Sequence, residues 1–209
     1  MSHRPDAALR ASPSVSATFL VCKRLFDICF SLLLLPILVA LVVILLLANP
    51  AMNTGPLFFV QRRMGKNCAP FQALKFRTMR PGAVHRSADD PLEEERITPL
   101  GAFLRQCRLD ELPQILNVLR GEMSLIGPRP DCFDHAVVFV QDVPGYRDRH
   151  KVLPGISGYA QTEVGYAEGI EATMRKVQAD LFYISNRSIF FEAWIFWRTV
   201  ITVVGRAGQ

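Results

Sequence analysis

Ile28–Leu47 reads ICFSLLLLPILVALVVILLL, and 18 of these 20 residues are hydrophobic. No charged side chain occurs between Asp27 and Arg62. The run meets the ~20 apolar residues a helix needs to cross a bilayer's hydrocarbon core. It exceeds the ~7–15 apolar residues of a secretory signal, and no small-x-small cleavage site follows closely. Pro36 sits inside the run, where the missing N–H and the ring predict a kink or break. Lys23 and Arg24 precede the run, and Arg62, Arg63 and Lys66 follow it. Both flanks are therefore basic, whereas a spanning helix is expected to show charge asymmetry. Together these signals predict a re-entrant membrane helical hairpin over about residues 22–48, broken at Pro36, with both ends cytoplasmic. The plainer alternative is a single bitopic anchor on an unrelated domain.

Outward from that run the chain is ordinary in size and charge. Its 209 residues suit one domain, and 24 Lys+Arg against 19 Asp+Glu give a net charge of +5. Half the residues are hydrophobic, which excludes a disordered polyelectrolyte. Cys22, Cys29, Cys68, Cys107 and Cys132 form no C-x-x-C pair and no zinc spacing with histidine. This predicts a reduced compartment, with any metal held by oxygen. Residues 1–20, rich in Ala, Ser and Pro, read as a flexible N-terminus. Residues 21–205 read as one membrane-embedded domain with its catalytic portion over about 55–205. The expected class is mainly helical α+β: the hairpin, a small β element, and amphipathic interfacial helices around a cytoplasmic active site.

In FQALKFRTM, strand alternation puts Lys75 and Arg77 on one face, where two cations can grip a phosphate or simply meet solvent. Asp89, Asp90, Glu93, Glu94 and Glu95 form an acidic run with no periodic apolar partner, which reads as a solvated loop. Thr98 is a predicted N-cap with Pro99 at the first helical position. Leu100, Phe103, Leu104 and Cys107 then fall on one helical face, leaving Arg105 and Arg108 off it.

Leu109–Pro130, LDELPQILNVLRGEMSLIGPRP, carries the chemistry. Asp110 is placed to cap a short helix, with Pro113 in its first turn and Gly121 at its end. The same arrangement sets the adjacent carboxylates of Asp110 and Glu111 at a helix start shortly after Arg105 and Arg108. A carboxylate beside a phosphate site can attack phosphorus or hold Mg²⁺ against phosphate oxygens. Capping and chemistry both remain open at this point. Arg129, between Pro128 and Pro130, sits on a stiff stretch of backbone that can aim a phosphate-binding guanidinium or merely end a turn.

The ordered set Lys23-Arg24-x-x-Asp27, the proline-interrupted apolar run, GPLFFVQRRMGKN, KFRTM, LDELPQILNVLRGEMSLIGPRP, PGISGYAQ and D-x-x-Y-I-x-N-x-S resembles a known family. The family is the bacterial sugar transferases of the monotopic polyprenol-phosphate phosphoglycosyl transferase type. The resemblance covers roughly residues 20–205. It implies transfer of a sugar-1-phosphate from a nucleotide sugar, expected to be a UDP-sugar, to undecaprenyl phosphate, releasing UMP. It also implies Asp110 as nucleophile with Glu111 beside it, a covalent aspartyl-phosphosugar intermediate, and Mg²⁺ at Asp110 and Glu111. Arg105, Arg129, Lys75 and Arg77 are then the expected phosphate-binding cations, and Lys23, Arg24, Arg62 and Arg63 the expected headgroup contacts. The expected location is the bacterial inner membrane, facing the cytoplasm, at the first membrane step of a cell-surface polysaccharide pathway.

SIFFEAWIFWRTVITVV combines Trp194 and Trp197 with Phe190, Phe191 and Phe196 and is interrupted by Glu192 and Arg198. It reads either as an interfacial helix or as an aromatic-rich core helix. One departure from the family pattern is Thr162–Gly169, where Ala167 stands near an expected arginine. Arg175 is the candidate substitute, and Glu192 stands where Asp is common. The competing class is a membrane-anchored binding or scaffold protein. Nucleic acid is not an expected partner, because no recognised binding motif accompanies the basic charge.

Overall fold

A computed structural model describes residues 16–53, 55–80, 93–163 and 170–205. The apolar run forms part of one helix, α1 (Ala17–Met52), which is long and apolar enough to cross a membrane. Helical structure begins at Ala17, ahead of the expected domain start, and most of the supposed flexible N-terminus lies outside the described residues. The division into two helices at Pro36 is not observed: Pro36 and Pro50 both lie inside one continuous helical segment. A proline deletes one backbone hydrogen bond and bends a helix, but neighbouring turns can carry the segment through it.

α1 has two unlike sides. Asp27, Ser31, Leu38, Leu45 and Asn49 are buried, and their spacings of four and seven residues place them on one stripe. Leu33, Val39, Val43 and Ile44 are exposed, and Leu47 is 80% exposed. Exposed aliphatics in such a row suit lipid, not water.

Beside α1 lies a small mixed body. β1 (Phe58–Met64) and β2 (Pro70–Phe76) form an antiparallel ribbon in which Phe59 faces Lys75 and Gln61 faces Ala73. The helix predicted after Thr98 is α2 (Pro99–Gln106), and the Thr98 hydroxyl accepts from the Gly101 N–H at 3.0 Å. Its apolar face divides: Leu104 is buried, whereas Phe103 is exposed.

A 3₁₀ turn at Leu109–Glu111 leads into α3 (Gln114–Arg120), closed by Gly121 at φ 82°. β3 (Ser124–Ile126) pairs in parallel with β4 (Gly155–Ser157). Between them lie α4 (Phe133–Asp142) and a 3₁₀ segment at Tyr146–Lys151. α5 (Tyr159–Glu163), α6 (Ile170–Ser185) and α7 (Ile189–Val204) complete the described chain.

The basic flank before α1 is tied to this body. Lys23 donates to the Ile126 carbonyl at 2.9 Å and to Glu192 at 2.6 Å. Arg24 donates to the carbonyls of Val118 at 2.7 Å and Leu119 at 3.1 Å. Those carbonyls lie in the last turn of α3, where intrahelical donors run out and a cation is favoured. Both residues, expected at the headgroups, thus have partners inside the folded body. Asp27 accepts from the Leu125 N–H at 3.0 Å. At the far end, Asn49 donates to the Gly55 carbonyl at 2.6 Å and Asn53 to the Arg77 carbonyl at 2.8 Å.

α7 has a packed face and an exposed aromatic face. Ile195 is fully buried, and Phe196 meets Phe26 and Phe30 edge-on at 5.6 and 4.9 Å. Phe190 and Trp197 point away from the body, 87% and 62% exposed. Glu192 does not interrupt an interfacial face; it is buried against Lys23 and Tyr183.

Candidate active site

Asp110 and Glu111 share a turn but not an environment. Arg108, at φ 57°, turns the chain sharply just before them. Neither the 3₁₀ turn nor α3 has a side-chain N-cap, so the capping role considered for Asp110 is not what the structure shows. Pro113, already helical in backbone, precedes α3 and needs no donor there.

Glu111 is saturated. Lys75 donates to Oε1 at 2.6 Å, and Arg129 donates to Oε2 at 3.0 Å and with its other arm to Oε1. Burial would raise the Glu111 carboxyl, but Arg129 and Lys75 overcome it and hold the group well below the usual carboxylate range. Asp110 is also buried, yet no described side chain pairs or hydrogen-bonds with its carboxylate. Burial pushes its carboxyl up and Glu111 adds to this, while Lys75, Arg129 and Arg105 oppose. One acid is an anchored counter-ion, and the other is a buried carboxyl with no described side-chain partner, beside three cations.

Of the expected phosphate-binding cations, Lys75, Arg105 and Arg129 surround this turn. Arg105 reaches the Thr78 hydroxyl at 2.9 Å. Arg77 is turned elsewhere: its guanidinium donates to the carbonyls of Pro56 at 2.6 Å, Met79 at 3.2 Å and Asn53. β2 ends at Phe76, so strand alternation no longer keeps Arg77 beside Lys75.

Arg63, expected at the headgroups, instead points inward and donates to the Pro130 carbonyl and to Gln61 at 2.7 Å. Arg62 stays exposed, its guanidinium 4.0 Å over the Phe133 ring.

The backbone carrying Arg129 is held from several sides. The Pro128 carbonyl accepts from Gly155 N–H at 2.9 Å, and the Arg129 carbonyl from Arg149 at 2.7 Å. The Pro130 carbonyl accepts from Arg63, and the Asp131 carbonyl from Met64 N–H at 3.1 Å. Gly155 permits the approach of β4: a Cβ there would lie 2.1 Å from the Gly127 nitrogen.

Behind the loop lies a polar network not anticipated from sequence. Arg149, 1% exposed, joins Asp131 to Asp180, with 2.8 Å between its Nε and the Asp180 carboxylate. Lys176 and Tyr146 also donate to Asp131, at 2.5 and 2.7 Å. Asp180 opens the quoted D-x-x-Y-I-x-N-x-S, and Asp131 stands one residue past the quoted G-P-R-P motif. Asn117, fully buried, is a second hub: it accepts from Leu74 N–H and donates to the Gln72 carbonyl and Glu122.

Among the described residues no group of three or more His, Cys, Asp or Glu side chains converges as a metal site. Of the acidic run, Asp89 and Asp90 lie outside the described residues, and Glu93 pairs with Arg96. Arg175 is exposed, while its neighbour Lys176 faces the network. Residues 164–169, with Ala167, lie outside the described residues.

The chain thus joins an apolar helix long enough to cross a membrane to a turn with two buried carboxyls and three nearby cations, the residue types that phosphate handling calls for. The chain belongs to the bacterial sugar transferase family, which it matches over residues 18–206. Over 194 residues it is 37% identical to the UDP-N-acetylgalactosamine-undecaprenyl-phosphate N-acetylgalactosaminephosphotransferase of Aeromonas hydrophila, covering 90% of this chain and 45% of that protein. It is 38% identical over 186 residues to the UDP-glucose:undecaprenyl-phosphate glucose-1-phosphate transferase of Caulobacter vibrioides, covering 85% and 68%. With the exopolysaccharide production protein PSS of Rhizobium leguminosarum bv. phaseoli it shares 37% identity over 202 residues, covering 90% and 97%.

Proposed function

We propose that the protein transfers a sugar-1-phosphate from a UDP-sugar to undecaprenyl phosphate, as the names of its relatives describe for them. The observation that carries the reading is the unequal acid pair, in which Glu111 is closed by Arg129 and Lys75 while Asp110 remains open. Asp110 Oδ attacks the phosphorus that bears the sugar; the bond to the bridging oxygen breaks and UMP leaves. A phosphate oxygen of the lipid then attacks the same phosphorus, the aspartyl–phosphate bond breaks, and the carboxylate returns. Lys75, Arg105 and Arg129 neutralise charge as it shifts among phosphate oxygens, which is the main demand of phosphoryl transfer. Glu111 fixes Arg129 and Lys75 in place.

Mg²⁺ commonly uses one or two carboxylates together with substrate phosphates and water. The donor set fits an ion that arrives with the diphosphate and is held by Asp110, and it does not fit chelation by both acids, because Glu111 is already occupied. Such an ion supplies charge neutralisation on the diphosphate.

Both ends of α1 are tied to one folded body, through Lys23 and Arg24 at one end and Asn49 and Asn53 at the other. This supports a helix that enters and leaves on the same face of the inner membrane, bent at Pro36, with the site in the cytoplasm. The product then initiates a cell-surface polysaccharide.

The experiment is UMP release from UDP-glucose, UDP-N-acetylgalactosamine and related donors with undecaprenyl phosphate and Mg²⁺. Expected is release with at least one donor and none in Asp110→Asn. Full activity in that variant rules out the mechanism. For topology, cysteines introduced beside Arg24 and Asn53 should both resist labelling from outside intact cells, and labelling of one alone indicates a span.

A further inference from the structure

The β1–β2 register sets an exposed aromatic ring beside a cation of the site. Phe59 is directly opposite Lys75. Opposed residues of an antiparallel pair project to the same face with Cβ atoms about 4.5–5.5 Å apart. That face carries Phe59, Gln61 and Arg63 on β1 and Lys75 and Ala73 on β2. It looks into the site, since Lys75 holds Glu111 and Arg63 holds the Pro130 carbonyl.

Phe59 is 46% exposed and takes part in no ring contact among the described residues. Phe58, on the opposite face, stacks on Phe76 at 5.4 Å. One aromatic of the pair is therefore explained by packing and the other is not. β1 begins shortly after Met52, the end of α1, and Arg77 ties the intervening carbonyls of Asn53 and Pro56 to the end of β2. Leu46, Leu47 and Met52, near that end of α1, are exposed. Exposed apolar side chains thus occur both at that end of α1 and at Phe59 on β1, and opposite Phe59 stands a cation.

We infer that Phe59 seats the phosphate-proximal isoprene units of the acceptor lipid, holding the lipid's phosphate beside Lys75 for attack. An amphiphile with hydrocarbon directly attached to phosphate matches this juxtaposition, whereas in a nucleotide sugar the one ring that stacks on Phe, the base, is separated from the phosphates by the ribose. The inference rests on the reaction under Proposed function and deepens it by assigning an acceptor-positioning residue.

The test compares wild type, Phe59→Ser and Phe59→Leu in two measurements: single-turnover UMP release without acceptor, and steady-state KM for undecaprenyl phosphate. Expected for Phe59→Ser is an unchanged single-turnover rate with the acceptor KM raised about 5- to 10-fold, a partial loss of one buried aromatic. Phe59→Leu restores most of the acceptor affinity. An acceptor KM in Phe59→Ser within about twofold of wild type overturns the inference. So does a parallel fall in the single-turnover rate, which marks a merely structural residue. Wild type silent with every donor overturns the proposed reaction itself and the inference with it; active wild type with an unmoved Phe59→Ser overturns the inference alone.

Discussion

Arg129 grips Glu111 with both arms of its guanidinium, and Lys75 closes on the same carboxylate at 2.6 Å. The fork geometry makes Arg129 irreplaceable by a point charge. Arg129→Lys is expected to lower kcat by about 10²- to 10³-fold, the usual loss when one preorganised donor to a charged transition state is removed. Glu111→Gln should lower it by less, and the double variant should fall short of the product of the two, because both changes release the same guanidinium. Single-turnover UMP release measures all three, and multiplicative losses would argue that the two residues act separately.

Lys75 gives the reaction an alkaline limit. Burial pushes its ammonium down to about 8; Arg129 and Arg63 add to this, and Glu111 and Asp110 oppose it. The cation is present below that pH and is lost above it, so the rate should fall as pH rises through about 8. In Lys75→Arg the limb should move beyond pH ~10, because guanidinium keeps its proton. Stability has the opposite sign. The folded state releases this proton more readily than the unfolded one, so the contribution of Lys75 improves between about 8 and the ordinary lysine value of 10.5.

His150 sets an acid limit on stability. Burial and the neighbouring Arg149 push its imidazole from 6.5 down to about 4, and its Nδ1 bonds the Gly65 carbonyl at 3.1 Å. The unfolded chain binds this proton at a higher pH than the folded chain does. Stability should therefore fall as pH drops from 6.5 toward 4 and level off below, by about 3 kcal/mol in all. His150→Asn, which can still donate to Gly65, should flatten that part of the thermal-unfolding profile in detergent.

Arg149→Met should destabilise the fold by about 3–5 kcal/mol, because it leaves Asp131 and Asp180 buried without their shared cation. Circular dichroism during heating measures the loss, and a change below about 1 kcal/mol would mean the network is dispensable.

Much of this was legible from local pattern. The presence of a long apolar helix followed from apolar length, though not its continuity through Pro36, α2 from Thr98 and Pro99, and the grouping of Lys75, Asp110, Glu111 and Arg129 from a resemblance in motif order. What was not legible depended on partners distant in sequence. A basic pair before an apolar run looks the same whether it meets lipid or, as Arg24 does, the carbonyl end of a helix 94 residues away. Arg77 shares strand parity with Lys75, but the strand stops one residue short of it. Asp110 had the spacing of a cap, yet the left-handed Arg108 converts its turn to 3₁₀ geometry, with no side-chain cap.

The four carbonyls from Pro128 to Asp131 are each claimed by a different donor, drawn from β1, β4 and the Tyr146–Lys151 segment. Arg129 has no local scaffold of its own; its aim is an average over elements from separate parts of the chain. Partial assembly therefore yields no partial catalyst. Loss of activity and loss of structure should trace a single curve on heating, and turnover in a membrane extract counts only completely folded molecules.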